Sequence, residues 1–266
     1  MAALASLLFL APSTAWPLTI EKDTVWSGTV DVEGQVVVEK WATLKVAPGT
    51  IVRLARGKQD SEGLSDSGIL VNGNIVAEGT PGARITITSD EEVPAPGDWG
   101  EIKVFESPGS SFTDCDFRYG GWGLHLHESD LKVKGCTFSD MSFGGLRGKA
   151  GNIEVSGSTF SDMEIGIRYW KGSPSIHNNT ITRNVTGIFL RQECGQAKIN
   201  YNNIQNNFEY NVKLGDAQTE DVNLMNNWWG TKRPAAVRRK IYDKGRDAYI
   251  GRAVIKPLLK KEVDIH

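Results

Sequence analysis

Basic, aromatic and histidine side chains recur at regular intervals through the middle of the chain. They form two columns that stand two residues apart, and successive members of a column are separated by 21 to 24 residues. The members are Lys103, Phe105, His125, His127, Arg147, Lys149, Arg168, Trp170, Phe189, Arg191 and Lys213. No acidic residue occupies a position in either column.

This composition favours recognition of an extended anion. Arginine can bind a carboxylate or a sulfate through two parallel hydrogen bonds, and rings such as Trp170 offer stacking surfaces for sugars. We therefore predict that the two columns bind an acidic polysaccharide or a similar polyanion. One alternative is a structural or surface protein without a ligand, in which long side chains cover apolar groups and keep an exposed surface soluble.

The same columns also fit a polysaccharide lyase. Such an enzyme needs a base, which could be Arg147, Lys149 or Arg168, and His125 would assist it. Calcium would be a cofactor in this case only, and otherwise we predict none.

A glycoside hydrolase is a further alternative, and it needs two carboxylates about 5 to 9.5 Å apart. Asp114 and Asp116 could provide them from one strand. Their equivalents one repeat later are Gly135 and Thr137, so no wider acidic cluster is expected. The sequence therefore assigns no catalytic residue.

The two histidines could together ligate zinc or copper, because they lie on one side of a strand. We expect no carboxylate beside them, and Lys103 and Arg147 would surround His125 with positive charge. We therefore predict no metal site.

The elements that must position these residues follow from an internal repeat. Apolar residues recur in register with the two columns, at steps of 21 to 25 residues. One apolar column is Phe112, Val133, Val155, Ile176, Ile199 and Leu224. A second is Phe117, Phe138, Phe160, Ile181, Ile204 and Trp229, and a third is Ile102, Leu124, Leu146, Ile167, Ile188 and Val212.

The length of the repeat limits the architecture. A unit of 21 to 25 residues is too short for helical repeats of about 33 residues or for propeller blades of about 40. It can hold three strands of about 5 residues, each about 17 Å long, with bends between them. We therefore predict a solenoid whose parallel sheets place equivalent residues of successive turns about 4.8 Å apart.

One column of the repeat contains small polar residues and cysteines at a predicted bend. Ser158, Asn179, Asn202 and Asn227 should form a hydrogen-bonded ladder, because asparagine tolerates bends and its amide both donates and accepts. Cys115 and Cys136 precede them in the same column. We predict free thiols there, since a disulfide between stacked turns would be strained.

Three further residues in or near bends have simple interpretations. Asp140 and Asp162 are predicted to form turns. Cys194 lies in a loop that widens one turn, and it is either exposed and reactive or an incidental thiol.

Three stretches carry a resemblance to a known architecture: residues 26–52, 85–100 and 226–231. Over roughly residues 24–260 the sequence resembles secreted bacterial right-handed parallel β-helix proteins of the pectate-lyase-like superfold. The resemblance implies an all-β, right-handed parallel β-helix. It does not assign an activity, because this superfold includes lyases, hydrolases, isomerases and binding proteins.

We predict one domain over residues 16–266, capped at its C-terminus. Its parts are N-terminal turns at 16–109, regular turns at 110–230, and a cap and tail at 231–266. Pro234 can begin a short capping helix, and Ile241 and Tyr242 lie close to the helical spacing of its apolar face.

The first residues and the overall charge bear on cellular location. Residues 1–15 resemble a signal peptide cleaved after Ala15, so a periplasmic or extracellular protein is expected. The formal net charge of -2 argues against nucleic acid as a partner. No apolar run reaches the ~18 residues of a membrane span. The oligomeric state is not indicated.

Overall fold

The computed structural model describes residues 17–265, which form 28 strands and one short helix. Strands are numbered along the chain, and three long sheets contain all but two of them. Every pair of neighbouring strands in these sheets is parallel. Each turn of the chain contributes one strand to each sheet, so the predicted solenoid is confirmed.

The bounds of the strands are as follows. Sheet 1 contains β1 (Leu18–Ile20), β4 (Gln35–Val38), β7 (Gly68–Val71), β10 (Trp99–Phe105), β13 (Gly120–His127), β16 (Gly144–Lys149), β19 (Ile165–Trp170), β22 (Thr186–Arg191), β25 (Tyr210–Leu214) and β27 (Ile241–Tyr242). Sheet 2 contains β2 (Thr24–Trp26), β5 (Thr43–Val46), β8 (Asn74–Glu78), β11 (Ser111–Thr113), β14 (Leu131–Lys134), β17 (Ile153–Ser156), β20 (Ser175–His177) and β23 (Lys198–Asn200). Sheet 3 contains β3 (Thr29–Val32), β6 (Ile51–Leu54), β9 (Ile85–Ser89), β12 (Cys115–Arg118), β15 (Thr137–Ser139), β18 (Thr159–Ser161), β21 (Thr180–Thr182) and β24 (Asn203–Gln205).

The apolar columns form the core between the three sheets. In sheet 3, for example, Phe117 pairs with Phe138 and Phe138 with Phe160. Their rings stack with centroids 4.5 and 4.7 Å apart, and all three side chains are fully buried. The register that the repeat predicted is therefore confirmed.

The asparagine ladder lies inside the bend between sheets 2 and 3. Asn202 Oδ1 accepts hydrogen bonds from the backbone and side-chain nitrogens of Asn179, each at 3.0 Å, and Asn227 Oδ1 accepts the same pair from Asn202. Ser158 donates its backbone N–H to Asn179 Oδ1 at 2.9 Å. The four side chains are fully buried, so each turn satisfies polar groups of the turn before it.

A second ladder, which the sequence analysis missed, lies at the bend between sheets 3 and 1. Asn207 Oδ1 accepts from the backbone and side-chain nitrogens of Asn184, each at 3.1 Å. Asn211 Oδ1 in turn accepts from Asn207 Nδ2 at 2.9 Å. This ladder orders the start of the last strands of sheet 1.

The acidic residues at bends have backbone conformations that confirm their turn role. Asp140 and Asp162 have φ of 56° and 63°, in the left-handed region that aspartate tolerates. Asp114 has φ of 47° and lies in the bend before β12 rather than in a strand, contrary to expectation.

All three cysteines are free thiols. Cys115 and Cys136 are buried as predicted. An exposed, reactive Cys194 is wrong, because its side chain is fully buried and its backbone N–H donates to Gln218 Oε1 at 2.8 Å. Burial raises the pKa of Cys194 to about 11.

The C-terminal end is capped by helix α1 (Pro234–Arg239), as predicted, with Val237 buried beneath it. Ile241 and Tyr242 do not belong to the helical face, because they form β27 and pair with β25. The chain then forms β28 (Ala253–Val254), which pairs with β26 (Val222–Asn223).

The N-terminal turns are wider than the later ones. Along sheet 1, Val36 pairs with Ile69 and Ile69 with Ile102, which are steps of 33 residues. The extra residues form loops between the sheets. The predicted signal peptide at 1–15 lies outside the described residues.

Candidate functional site

Sheet 1 brings all eleven predicted ligand-binding residues onto its outer surface, hereafter the basic face. Alternation along each strand turns residues such as Ile102 and Val104 inward and Lys103 and Phe105 outward. One ladder of paired residues is Lys103, His125, Arg147, Arg168, Phe189 and Lys213, which Tyr242 extends. The other is Phe105, His127, Lys149, Trp170 and Arg191.

Ten of the eleven side chains are partly exposed to solvent, and His125 is buried at 5% exposure. The two long loops, at 55–68 and 89–98, contact sheet 1 near the starts of its strands. Leu64 lies against Gly121, and Gly97 donates its backbone N–H to the carbonyls of Tyr119 and Gly120. The C-terminal tail binds β24 of sheet 3, where Val263 and Asn203 exchange hydrogen bonds of 2.8 Å. The basic face is therefore partly open.

A buried carboxylate lies beside the histidines, contrary to the sequence expectation. Glu101 Oε1 is 2.8 Å from His125 Nδ1, and Glu101 Oε2 accepts from Arg147 Nη2 at 2.7 Å. The pairing shifts at Glu101, which lies opposite Trp122, whereas Ile102 lies opposite Leu124. This irregularity lets Glu101 reach diagonally to His125. Because Glu101 stands two residues before Lys103, alternation alone could have placed it on this face.

The hydrogen bonds continue from His125 to His127. Their Nε2 atoms are 2.7 Å apart. Since Nδ1 of His125 donates to the Glu101 carboxylate, its Nε2 must accept, and His127 must donate from Nε2. Nδ1 of His127 is then the free acceptor at the end of the chain, and it forms no hydrogen bond with any residue from 17 to 265. We call Glu101, His125 and His127 the histidine relay.

The protonation states follow from burial and charge. Burial works to raise the pKa of Glu101, but the hydrogen bond with His125 and the nearby cations outweigh it, so the pKa lies below its ordinary value. Burial lowers the pKa of His125, although the hydrogen bond with Glu101 opposes this. Burial is also the largest cause that lowers the pKa of His127, to about 4. At neutral pH the relay therefore has one ionised carboxylate and two neutral imidazoles.

Aromatic rings enclose the exposed end of the relay. Phe105 stacks on His127 with a centroid distance of 4.8 Å and an interplanar angle of 21°. The Trp170 ring meets His127 edge-on at 6.5 Å. The Lys103 ammonium lies 5.0 Å from the Phe105 centroid. These contacts hold the His127 ring in one orientation beside a cation.

Arg168 is the least compensated cation of the basic face. It forms no hydrogen bond or ion pair with any residue of the described chain, and its buried Nε has no partner. Its guanidinium instead contacts the Trp170 and Phe189 rings, at 5.5 and 5.6 Å from their centroids. Burial, followed by the charges of Arg191 and Arg147, lowers the pKa of Arg168. An anion bound here would relieve that repulsion.

The carboxylate pair considered for a hydrolase is already engaged. Arg84 donates to Asp116 at 2.8 Å and lies 3.4 Å from Asp114, so it neutralises both. The pair therefore has a structural partner at the bend between sheets 2 and 3. Within residues 17–265, no three His, Cys, Asp or Glu side chains are grouped so that they could hold a metal ion. The described residues also include no helix with the length and apolar character required to cross a bilayer.

Comparison with known families agrees with the stacked parallel sheets. A family described as "Right handed beta helix region" matches residues 98–229, and one described as "Pectate-lyase like beta helix domain" matches residues 18–110. The chain is a right-handed parallel β-helix protein of the pectate-lyase-like superfold. Neither a curated protein nor a solved structure matches this β-helix protein significantly. The family matches are compatible with polysaccharide interaction and specify no ligand.

Proposed function

We propose that the basic face binds an extended anionic polysaccharide. The observation that carries this proposal is Arg168, a half-buried guanidinium without an acidic partner in the described chain and with Arg147 and Arg191 beside it. A protein gains no stability from such an arrangement alone, because burial and like charges both disfavour the cation. A carboxylate or sulfate would supply the missing charge and accept bidentate hydrogen bonds.

The geometry of the sheet fits a polymer better than a small anion. Strand spacing in a sheet is about 4.8 Å, which is comparable with the rise of one sugar in a stretched polysaccharide. Cations or aromatic rings occupy every rung from Lys103 to Lys213, and Tyr242 adds a ring at the end of the ladder. Successive anionic sugars could therefore contact successive turns.

The test is equilibrium binding of alginate, pectate and heparin at low and high salt. We expect salt-sensitive binding of at least one polymer, because partly exposed charges are screened. Arg168→Ala should weaken it about tenfold, which corresponds to the loss of one charge-assisted hydrogen bond of about 1.5 kcal/mol. The matched control is Lys132→Ala on sheet 2, which removes an equal charge from an exposed position outside the basic face. Absence of low-salt binding, or equal losses in both variants, would refute the proposal.

A second candidate, a polysaccharide lyase, is favoured by the histidine relay. The free Nδ1 of His127 could take the proton from the carbon that bears a uronate carboxylate. The electron pair then forms a carbon–carbon double bond, the bond to the neighbouring sugar oxygen breaks, and that oxygen takes up a proton. His125 and Glu101 would hold the His127 ring and disperse its new charge through the relay.

The lyase candidate is tested by the absorbance of unsaturated uronate products over a panel of acidic glycans, with and without calcium. His127→Ala should abolish product formation. His177→Ala removes a histidine that pairs with Glu154 on sheet 2, and it should leave the rate unchanged. If no glycan in the panel yields a product, this candidate fails while the binding proposal stands.

A further inference from the structure

His127 has a structural feature that simple charge attraction does not require. Its Nε2 donates to His125, while its Nδ1 has no partner among residues 17–265. Protonation at Nδ1 would leave the hydrogen bond between the two rings intact, since His125 still accepts. The relay can therefore gain one positive charge without breaking.

The surroundings disfavour that charge in the free protein. The groups that face the two histidines are Glu101 and Lys103 on β10 and Arg147 and Lys149 on β16. Glu101 is already bound to Arg147 as well as to His125. The net effect of burial and of these cations is a pKa for His127 of about 4, below its ordinary value of ~6.5.

We propose that binding of a polyanion to the basic face is coupled to uptake of one proton by His127. This inference rests on the proposed binding function and assigns His127 as a residue that strengthens binding in acid. An anion beside Lys103 and Lys149 cancels the potential that opposes protonation. The resulting N–H at Nδ1 can then donate a hydrogen bond to the anion itself.

The sign of the pH dependence follows by linkage. Bound polymer raises the pKa of His127, so affinity increases as the pH falls from about 6.5 towards about 4. If binding restores the ordinary pKa fully, affinity at pH 5 exceeds that at neutral pH by roughly 30-fold. If it restores half of the shift, the gain is roughly 2.5-fold.

The experiment measures binding of dextran sulfate between pH 7.5 and pH 5 by titration calorimetry. Sulfate esters stay ionised over this range, so the ligand's charge is constant. Repeating the titration in two buffers with different ionisation enthalpies counts the protons taken up. His127→Gln keeps a polar side chain that cannot be charged, and His177→Gln is the control because His177 lies on sheet 2.

The expected result is tighter binding in acid, with up to one proton taken up, for the native chain and for His177→Gln. His127→Gln should bind with an affinity that changes little with pH. A pH response that survives in His127→Gln would overturn the inference. Failure to bind at any pH would overturn the binding function itself, and circular dichroism of each variant identifies one that has not folded.

Discussion

Replacement of Glu101 by glutamine should have opposite effects on stability and on ligand affinity. The carboxylate has a side-chain exposure of 11% and joins His125 to Arg147 through contacts of 2.8 and 2.7 Å. Each charge-assisted hydrogen bond contributes about 1.5–3 kcal/mol. Glutamine can preserve one as an acceptor, but its NH2 group faces a donor at the other, so unfolding should require about 2–4 kcal/mol less free energy.

The same change removes one negative charge from the basic face. A unit charge about 8 Å from a bound anion contributes about 0.5–2 kcal/mol, depending on the local dielectric. Affinity for dextran sulfate should therefore rise about 2- to 30-fold.

The assays are urea unfolding and calorimetric titration of the same preparations. Glu154→Gln is the control, because Glu154 pairs with His177 at 3.3 Å in a more exposed position. That variant should lose less than about 0.5 kcal/mol. A Glu101→Gln variant that is as stable as the native chain, with unchanged affinity, would show that the relay has no role in either property.

Three further predictions concern the ladder, the thiols and the N-terminus. Asn202→Ala should lower the free energy of unfolding by about 3 kcal/mol or more, since it leaves buried groups of two neighbouring turns unpaired, whereas exposed Asn178→Ala should cost much less in a thermal melt. The thiols should react with an aromatic disulfide reagent only at the rate of unfolding, because all three are buried; fast labelling of Cys194 in the native protein would contradict this. Mass spectrometry of the protein from its native host should find an N-terminus directly after Ala15, and an intact first residue would exclude the signal peptide.

The regular turns were predictable because their period is nearly constant. Arg147 and Arg168 became neighbours on one face as soon as the step of 21 residues was recognised. Core stacking of Phe138 and Phe160 followed from the same register. Equivalent positions of a solenoid must coincide in space, so the repeat alone supplies tertiary contacts that other folds hide.

The residues that the sequence missed depend on local departures from this period. Glu101 reaches His125 across an irregular pair, and direct column-by-column reasoning considers only residues that lie opposite each other. Tyr242 was placed on a helix because apolar spacing over so few residues does not distinguish a six-residue helix from the short strand after it. Burial of Cys194 depends on an amide from the following turn, Gln218, which no pattern indicates.

The most direct test of the central claim is a crystal structure of the protein with a bound acidic oligosaccharide. Our account predicts an anionic group of the sugar within about 3 Å of the Arg168 guanidinium, with the chain crossing successive strands of sheet 1. An oligosaccharide bound on sheet 2 or sheet 3, with Arg168 still without an anionic partner, would contradict it.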